Sequence, residues 1–327
     1  MAHSKREMQQ QLQKVSKMIG NTPVLKLDSV DAGLYVKLEQ YNAFGSIKDR
    51  PAFYVISKAL QRGDIDENTI IVESSSGNYA IALARICKLL GLTFIPVIDP
   101  NITSEKEHVL RLLCDDVHKV TELDETGGYL LSRLKAVQEY KLNNDNVFHP
   151  NQYGNEDNYQ AYYHGLGVEI SERFDRLDYL VMSVSTGGSV AGISLRVKEK
   201  FPNVKIVAVD VEGSVIFGGG PKKRKITGMG ASLRTPFFDN ALIDEIMILS
   251  QEEIVNGCHA LLKKQGLFSG ASSGAAYYAA QEKIRQVGNP DMNILFIAPD
   301  SGDAYVNNVY NEVWIEKYIN QPKYEIA

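Results

Sequence analysis

Cysteine is scarce in these 327 residues: three occur, at positions 87, 114 and 258. Their odd number, their scatter and the lack of any C-x-x-C spacing exclude a disulfide framework and a thiolate zinc site. Cys87 falls inside the apolar helical pattern "IALARICKLLG" and reads as core. The six histidines show no metal-ligand spacing either. Positive charge is also short. The net charge of -5 leaves no basic field to attract nucleic acid or an acidic membrane. The one dense basic run, "KKRK" at 222–225, reads as a solvated loop. No apolar run approaches the length of a membrane span. The polar stretch "MAHSKREMQQQLQKV" lacks the apolar centre of a secretory signal. A cytoplasmic, reduced protein is expected. Two nucleotide fingerprints are missing as well. No G-x-G-x-x-G follows the first strand, and there is no G-x-x-x-x-G-K-[ST] phosphate loop.

What is present is an ordinary soluble balance, 44 % hydrophobic and 23 % charged, in a chain long enough for two lobes or one large α/β unit. Strand-like and helix-like segments alternate. "LYVKLE" precedes "RPAFYVISKALQRG", "TIIVESS" precedes "NYAIALARICKLLG", and "TFIPVID" precedes "TSEKEHVLRLLCD". Then come "DVHKVTE" with "GGYLLSRLKAVQEYKLN", "DYLVMSVS" with "GSVAGISLRVKEKFP", the strand "NVKIVAVDVEG", and finally "NILFIAPDSG" with "VYNEVWIEKYI". Such alternation predicts a largely parallel sheet with helices on both faces. No internal repeat or low-complexity linker interrupts it. The polar stretch at 143–158 is the strongest break.

Three strand-to-helix turns carry the chemistry. Lys48 stands in "GSIKDR", where open α/β sheets build their sites. "SSSGN" at 74–78 offers short hydroxyls, free backbone N–H groups and a helix start; it suits a carboxylate, or it is an N-cap turn closed by Asn78 or Ser76. "STGGS" at 185–189 combines two glycines, hydroxyls and a helix N-terminus, and reads as a phosphate cradle rather than a plain turn. Arg133 sits close to the apolar side of "LLSRLKAV". There it is either a solvated arginine or a guanidinium shaped for bidentate phosphate binding. A phosphate cradle, a loop lysine and no nucleotide signature together suggest pyridoxal 5′-phosphate, which needs a lysine Schiff base and a phosphate site.

At this point the order "KLEQYNAFGSIKDRPA", "SSSGN", "STGGS", "GMGAS", "SGASSGAA" and "PDSGDAY" resembles the cysteine synthase/cystathionine β-synthase family, fold-type II enzymes of pyridoxal phosphate. The resemblance spans nearly the whole chain. It implies a tryptophan-synthase-β-like α/β fold of two lobes with mostly parallel sheets, a smaller mobile lobe at 48–150 and a larger cofactor-binding lobe at 10–47 and 151–320. "ETGGYLLSRLKAVQE", "NQYGNEDNYQAYYHGLGVEI" and "VEGSVIFGG" narrow it to a branch that joins O-phospho-L-serine and L-glutamate. The product of that branch is N-(2-amino-2-carboxyethyl)-L-glutamate, on the way to 2,3-diaminopropionate and siderophores.

Carried over by position, the resemblance implies that Lys48 is the Schiff-base lysine and the Cα base. Asn78 would bind the cofactor's 3′-oxygen. Ser185, Thr186, Gly187, Gly188 and Ser189 would hold its phosphate, and Ser272 would face its ring nitrogen. Ser75, Ser76 and Tyr79 would surround the substrate carboxylate, while Arg133, Tyr153 and Ser185 would select phosphoserine. A neutral Ser272 at the ring makes a weak electron sink, which favours β-elimination and replacement over transamination. The chain departs from the family pattern in two places. Ala43 stands where proline is usual, and Tyr79 where threonine is common, which implies a reshaped pocket. The resemblance also implies small amino-acid substrates and a homodimer. A thiol-using cysteine or cystathionine synthase is the nearest alternative. A non-catalytic binding module is disfavoured because lysine, asparagine and phosphate loop are all present. A nicotinamide dehydrogenase would need the missing glycine fingerprint.

Overall fold

The computed structural model describes residues 3–29, 31–125 and 127–319, so Thr126 of the "ETGGYLL" stretch lies outside the described residues. In chain order the elements begin with helix α1 (Lys5–Ser16) and strands β1 (Val24–Lys26) and β2 (Gly33–Leu38). They continue with α2 (Asp49–Arg62), β3 (Ile70–Ser74), α3 (Asn78–Leu90), β4 (Thr93–Ile98), α4 (Ser104–Leu113), β5 (His118–Lys119), α5 (Leu130–Asn143), β6 (Val147–Phe148) and α6 (Asp157–His164). The rest comprises α7 (Leu166–Arg173), β7 (Tyr179–Ser183), α8 (Gly188–Lys200), β8 (Lys205–Val211), α9 (Phe237–Asn240), β9 (Glu245–Leu249), α10 (Gln251–Gln265), α11 (Ala271–Val287), β10 (Asn293–Ala298) and α12 (Glu312–Tyr318). The expected alternation is there, and the α/β class stands.

The chain divides into two compact units, Met1–Asn21 with Tyr41–Leu166 and Thr22–Gln40 with Gly167–Ala327. These boundaries differ from the expected 48–150 and 10–47 with 151–320, for local reasons. Helix α1 places Met8 and Leu12 in the core of the first unit. Helix α6 is tied into the same unit by the Tyr162 hydroxyl, which donates to the Ile47 carbonyl at 3.3 Å, and by Arg62 Nη1 and Asp157 at 2.9 Å. The polar stretch at 143–158 is therefore not the crossing point.

In the first unit a four-stranded parallel sheet has the order β5-β4-β3-β6. Strand β3 is buried on both faces. Ile71 belongs to one core with Ala52, Ile56, Leu83 and Cys87 of α2 and α3, while Val72 belongs to another with Ala136 and Val137 of α5. A continuous "IIV" run suits a strand with no solvent face, and each such side chain contributes ~1.5–3 kcal/mol when fully buried. Helix α4 starts on Thr103, whose hydroxyl accepts from the Lys106 N–H. A full capping box does occur on α1, between Ser4 and Glu7.

In the second unit six strands have the order β1-β2-β10-β7-β8-β9, parallel except for β1. Two charged residues of the "LYVKLE" strand segment are buried and matched. Lys37 Nζ donates to Glu169 and to the Thr22 carbonyl, each at 2.6 Å. Glu39 accepts from the Thr22 hydroxyl at 2.6 Å. Helices α10 and α11 approach so closely that a Cβ on Gly257 would lie 2.2 Å from the Gly274 carbonyl oxygen. Both glycines are there for backbone contact. The loops after β3 and after β7 leave the carboxyl ends of parallel strands, where α/β sheets bind ligands.

Candidate active site

The first unit presents the lysine. Gly45, at φ +93°, makes the left-handed turn that brings Phe44 back onto α2. Asp49, the first residue of α2 and fully buried, accepts from the Phe44 N–H at 2.6 Å and from the Ser46 hydroxyl at 3.3 Å. Ser46 Oγ in turn accepts from the Lys48 N–H at 3.2 Å. The half-buried Lys48 is thus the N-cap residue of α2, on a loop fixed by one carboxylate.

The "SSSGN" loop follows β3. The Ser75 N–H donates to the Val97 carbonyl at 3.2 Å, and the Gly77 N–H donates to Ser75 Oγ at 3.4 Å. The N-cap of α3 is Gly77, not Ser76 or Asn78, and no side chain among the described residues caps it. The half-buried Asn78 is the first residue of α3, so the loop delivers the helix N-terminus, the end of a helix that favours an anion. Gln152, unnoticed in the sequence, is buried and donates to the Ser74 carbonyl at 2.8 Å. It fixes the loop from 78 residues away.

Arg133 on α5 is not a solvated arginine. Its Nη1 donates to Ser76 Oγ at 3.1 Å, and its Nε lies 3.2 Å from Asp99 Oδ2, with the two side chains 12 % and 7 % exposed. Tyr153 joins this group. Burial pushes its phenol up, while the neighbouring Arg133 guanidinium, hydrogen-bonded to it, pulls the other way. Arg133, Tyr153 and Ser76 are therefore brought together. Tyr79 is not. It is 2 % exposed, packs in the core with Leu83 and Cys87, and its hydroxyl finds no hydrogen-bond partner among the described residues. Burial, and then the Glu73 carboxylate, hold its phenol well above the ordinary range. Tyr79, which the resemblance places at the substrate carboxylate, is the second residue of α3 and packs against the helices of its own unit. Beside it in the chain fold, the fully buried Glu73 has His149 Nε2 3.6 Å from its carboxylate.

The second unit presents the phosphate cradle. Gly187, at φ +86°, caps α8, and no described side chain closes the helix start. A Cβ there would lie 2.7 Å from the Phe238 ring. The loop is anchored from outside. Ser185 Oγ donates to the Gly230 carbonyl at 3.2 Å, and Thr235 Oγ1 donates to the Thr186 carbonyl at 2.6 Å. Gly230, in "GMGAS", donates its N–H to the Val184 carbonyl at 2.8 Å. These anchors use side-chain oxygens and carbonyls and leave the N–H groups of Gly188 and Ser189 at an open helix start, which is the donor set of a phosphate site. Ser272, the second residue of α11, is 4 % exposed, and its carbonyl accepts from the Ser183 hydroxyl at 2.6 Å. The cradle loop and the start of α11 are thereby held together. Asp300 of "PDSGDAY" accepts from the Tyr305 hydroxyl at 3.2 Å, and its carbonyl accepts from the Gly270 N–H at 3.0 Å. The three cysteines are free thiols, and burial pushes that of Cys258 up to about 12, so none is poised as a nucleophile.

Each unit taken by itself is a parallel-sheet α/β layer, one with a lysine at a helix start and one with an uncapped glycine-hydroxyl turn, which is the class of enzyme that works with a phosphorylated carbonyl cofactor. The sequence profile of the family "Pyridoxal-phosphate dependent enzyme" matches residues 15–300. An N-(2-amino-2-carboxyethyl)-L-glutamate synthase from Ralstonia nicotianae is 39 % identical over 304 residues, covering 91 % of this chain and 90 % of that protein. Among solved structures, an O-acetylserine dependent cystathionine β-synthase from Helicobacter pylori aligns with TM-score 0.83 and 32 % identity, over 91 % of this chain and 98 % of that one. A hydrogen sulfide-producing enzyme from Fusobacterium nucleatum aligns with TM-score 0.83 and 31 % identity, over 89 % and 98 %. The chain belongs to the family of pyridoxal-phosphate dependent enzymes, as a β-replacement synthase of the fold-type II architecture. Its residues fit the cofactor: the uncapped α8 start with its Cβ-free Gly187 can take the phosphate, and the fixed Lys48 turn can present the amine. Among the described residues no helix is long and apolar enough to cross a membrane, and no cluster could hold a metal ion.

Proposed function

We propose that this enzyme replaces the phosphate of O-phospho-L-serine with the amine of L-glutamate, giving N-(2-amino-2-carboxyethyl)-L-glutamate. The observation that carries the reading is Arg133, hydrogen-bonded to Ser76 of the "SSSGN" loop and accompanied by Tyr153. A guanidinium beside the loop proposed to take the substrate carboxylate is where a second anionic group of the same small molecule would reach. The 39 % identical relative carries the corresponding name.

When bound, pyridoxal phosphate supplies an electron sink for charge developing at Cα. The residues of this chain do the rest. Lys48 anchors the cofactor, then removes the Cα proton and later returns it. The N-terminus of α3 and the loop from Ser75 to Asn78 bind the substrate carboxylate, and Asn78 would hold the cofactor's 3′-oxygen. Ser185, Thr186, Gly187, Gly188 and Ser189 hold its phosphate. The neutral Ser272 would be the group at its ring nitrogen. Arg133 and Tyr153 bind the departing phosphate as the Cβ–O bond breaks, stabilising charge where it develops. The amine nitrogen then forms the Cβ–N bond and gives up a proton. Tyr79 has no part at the substrate. In the same reading the enzyme is a cytoplasmic homodimer that feeds 2,3-diaminopropionate to siderophore assembly.

The decisive experiment is incubation of the holoenzyme with O-phospho-L-serine and a panel of amine and thiol nucleophiles, with products identified by mass. The expected product is the glutamate adduct. Cysteine or cystathionine as the dominant product would replace this reading with the thiol-using one, which the similarity to the Helicobacter pylori enzyme favours.

A further inference from the structure

Asp99 was not singled out by any motif. It follows β4, is buried, and belongs to a closed network with Ser76 and Arg133. The Asp99 N–H donates to Ser76 Oγ at 3.1 Å, and the Ser76 hydroxyl donates back to Asp99 Oδ2 at 3.1 Å. Arg133 Nη1 donates to the same Ser76 oxygen at 3.1 Å, and Arg133 Nε lies 3.2 Å from Asp99 Oδ2. The other carboxylate oxygen, Oδ1, accepts from the Asn101 N–H at 2.8 Å, which fixes the rotamer. A hydroxyl has one donor and two acceptor positions, so Ser76 is fully committed. The guanidinium, with five N–H groups, is not; it keeps donors for another anion.

We infer that Asp99 is a positioning residue that holds Arg133 in place and sets its affinity for phosphate low enough for the product anion to leave. This rests on the phosphoserine reading. The reasoning is one of charge. A buried guanidinium with no counter-ion would bind a phosphate dianion tightly in both substrate and product, and uniform binding of that kind slows release without helping the chemistry. An Asp99 carboxylate already paired with the same guanidinium competes with the incoming anion. It opposes the ground-state substrate and the free phosphate alike. It also keeps Arg133 from collapsing onto solvent or onto other acceptors while the site is open, so the cation is pre-organised for the bond-breaking step. An acetyl ester carries no such charge, and its turnover is insensitive to this balance.

The test uses holoenzyme, in which the cofactor's own phosphate cradle is filled. Binding of inorganic phosphate is measured by titration calorimetry for the parent, Asp99→Asn, Asp99→Glu and Arg133→Leu. Steady-state kinetics with O-phospho-L-serine and with O-acetyl-L-serine run alongside. Asp99→Asn is expected to bind phosphate roughly tenfold tighter, the size of effect seen when a close charge is neutralised. Its KM and kcat for phosphoserine should both fall, and Asp99→Glu should restore the parent values. Acetylserine kinetics should change much less than phosphoserine kinetics, since only the Ser76 contact is shared. Unchanged or weaker phosphate binding in Asp99→Asn, with binding lost in Arg133→Leu, overturns the role of Asp99 and leaves the phosphoserine reading standing. Phosphate binding that survives in Arg133→Leu overturns both. Should Asp99→Asn fail to fold, Asp99→Ser removes the same charge and is read in the same way.

Discussion

Gly187→Ala isolates the phosphate cradle with the smallest possible change. Two independent costs arise. The residue sits at φ +86°, where any L side chain is strained by roughly 1–2 kcal/mol. The new Cβ would also meet three ring carbons of Phe238 at 2.7, 2.9 and 3.1 Å. That ring cannot easily yield. It is 5 % exposed, and the edge of its neighbour Phe217 stands against it at a centroid distance of 5.7 Å. Overpacking of this kind costs about 1–3 kcal/mol. If the loop relaxes by distorting the cradle, the sum of about 2–5 kcal/mol appears as lost cofactor affinity, between roughly thirty- and several-thousandfold at 1.4 kcal/mol per decade. If the loop resists, the same sum appears as a lower melting temperature with affinity kept. Cofactor titration followed by absorbance and calorimetric melting of the apoenzyme separate these two. A cycle with Phe238→Ala assigns the shares, since removing the ring relieves the contact and leaves the dihedral strain. A Gly187→Ala enzyme with unchanged cofactor affinity and unchanged melting temperature would refute both the cradle geometry and the clash.

Lys48→Ala should abolish β-replacement while the far-ultraviolet circular dichroism of the protein stays as in the parent; turnover at parental rate would remove Lys48 from the mechanism. Arg133→Leu should lower kcat/KM for phosphoserine roughly ten- to a hundredfold, as expected for a lost hydrogen bond to a charged group, with a much smaller effect on acetylserine. Equal effects on both substrates would leave the arginine without a role in selection. Glu107, bonded to Lys119 and Arg111, has its carboxyl held below the usual value by those two partners. Its stabilisation is therefore present above the unfolded carboxylate pKa of about 4.3 and is lost as pH falls through the folded value. Glu107→Gln should cost no more than about 1 kcal/mol at pH 7, as surface pairs do, and the gap in melting temperature should close on acidification and in high salt.

The architecture was legible because its determinants are local. Apolar runs such as "TIIVESS" and "NYAIALARICKLLG" carry their own periods, and the glycines and hydroxyls of "SSSGN" and "STGGS" mark where a strand gives way to an open helix start. The motif order was also enough to name the family, its cofactor and Lys48 as the candidate anchor. Other features were less visible. Helix α1 reads as merely polar unless its Ser4–Glu7 cap is noticed, since three buried residues on one face make a thin stripe. The close approach of α10 and α11 was not legible, because two glycines at 257 and 274 mean close packing only when both are seen at once. Composition left Arg133 open between solvent and site. Its partners Ser76 and Asp99 stand 57 and 34 positions away, and no local pattern reports such a meeting. Tyr79 looked like a pocket residue from its neighbours in the chain and is a core residue by its neighbours in space. Lys37, in a strand that reads as alternating, is buried against a carboxylate 132 positions away. The sequence alone determined which elements form and which loops carry donors, because backbone preference and hydrophobic period act within a few residues. Tertiary structure alone decided which charges meet and which hydroxyls are left to bind a ligand, because burial and pairing depend on groups the chain brings together only when folded.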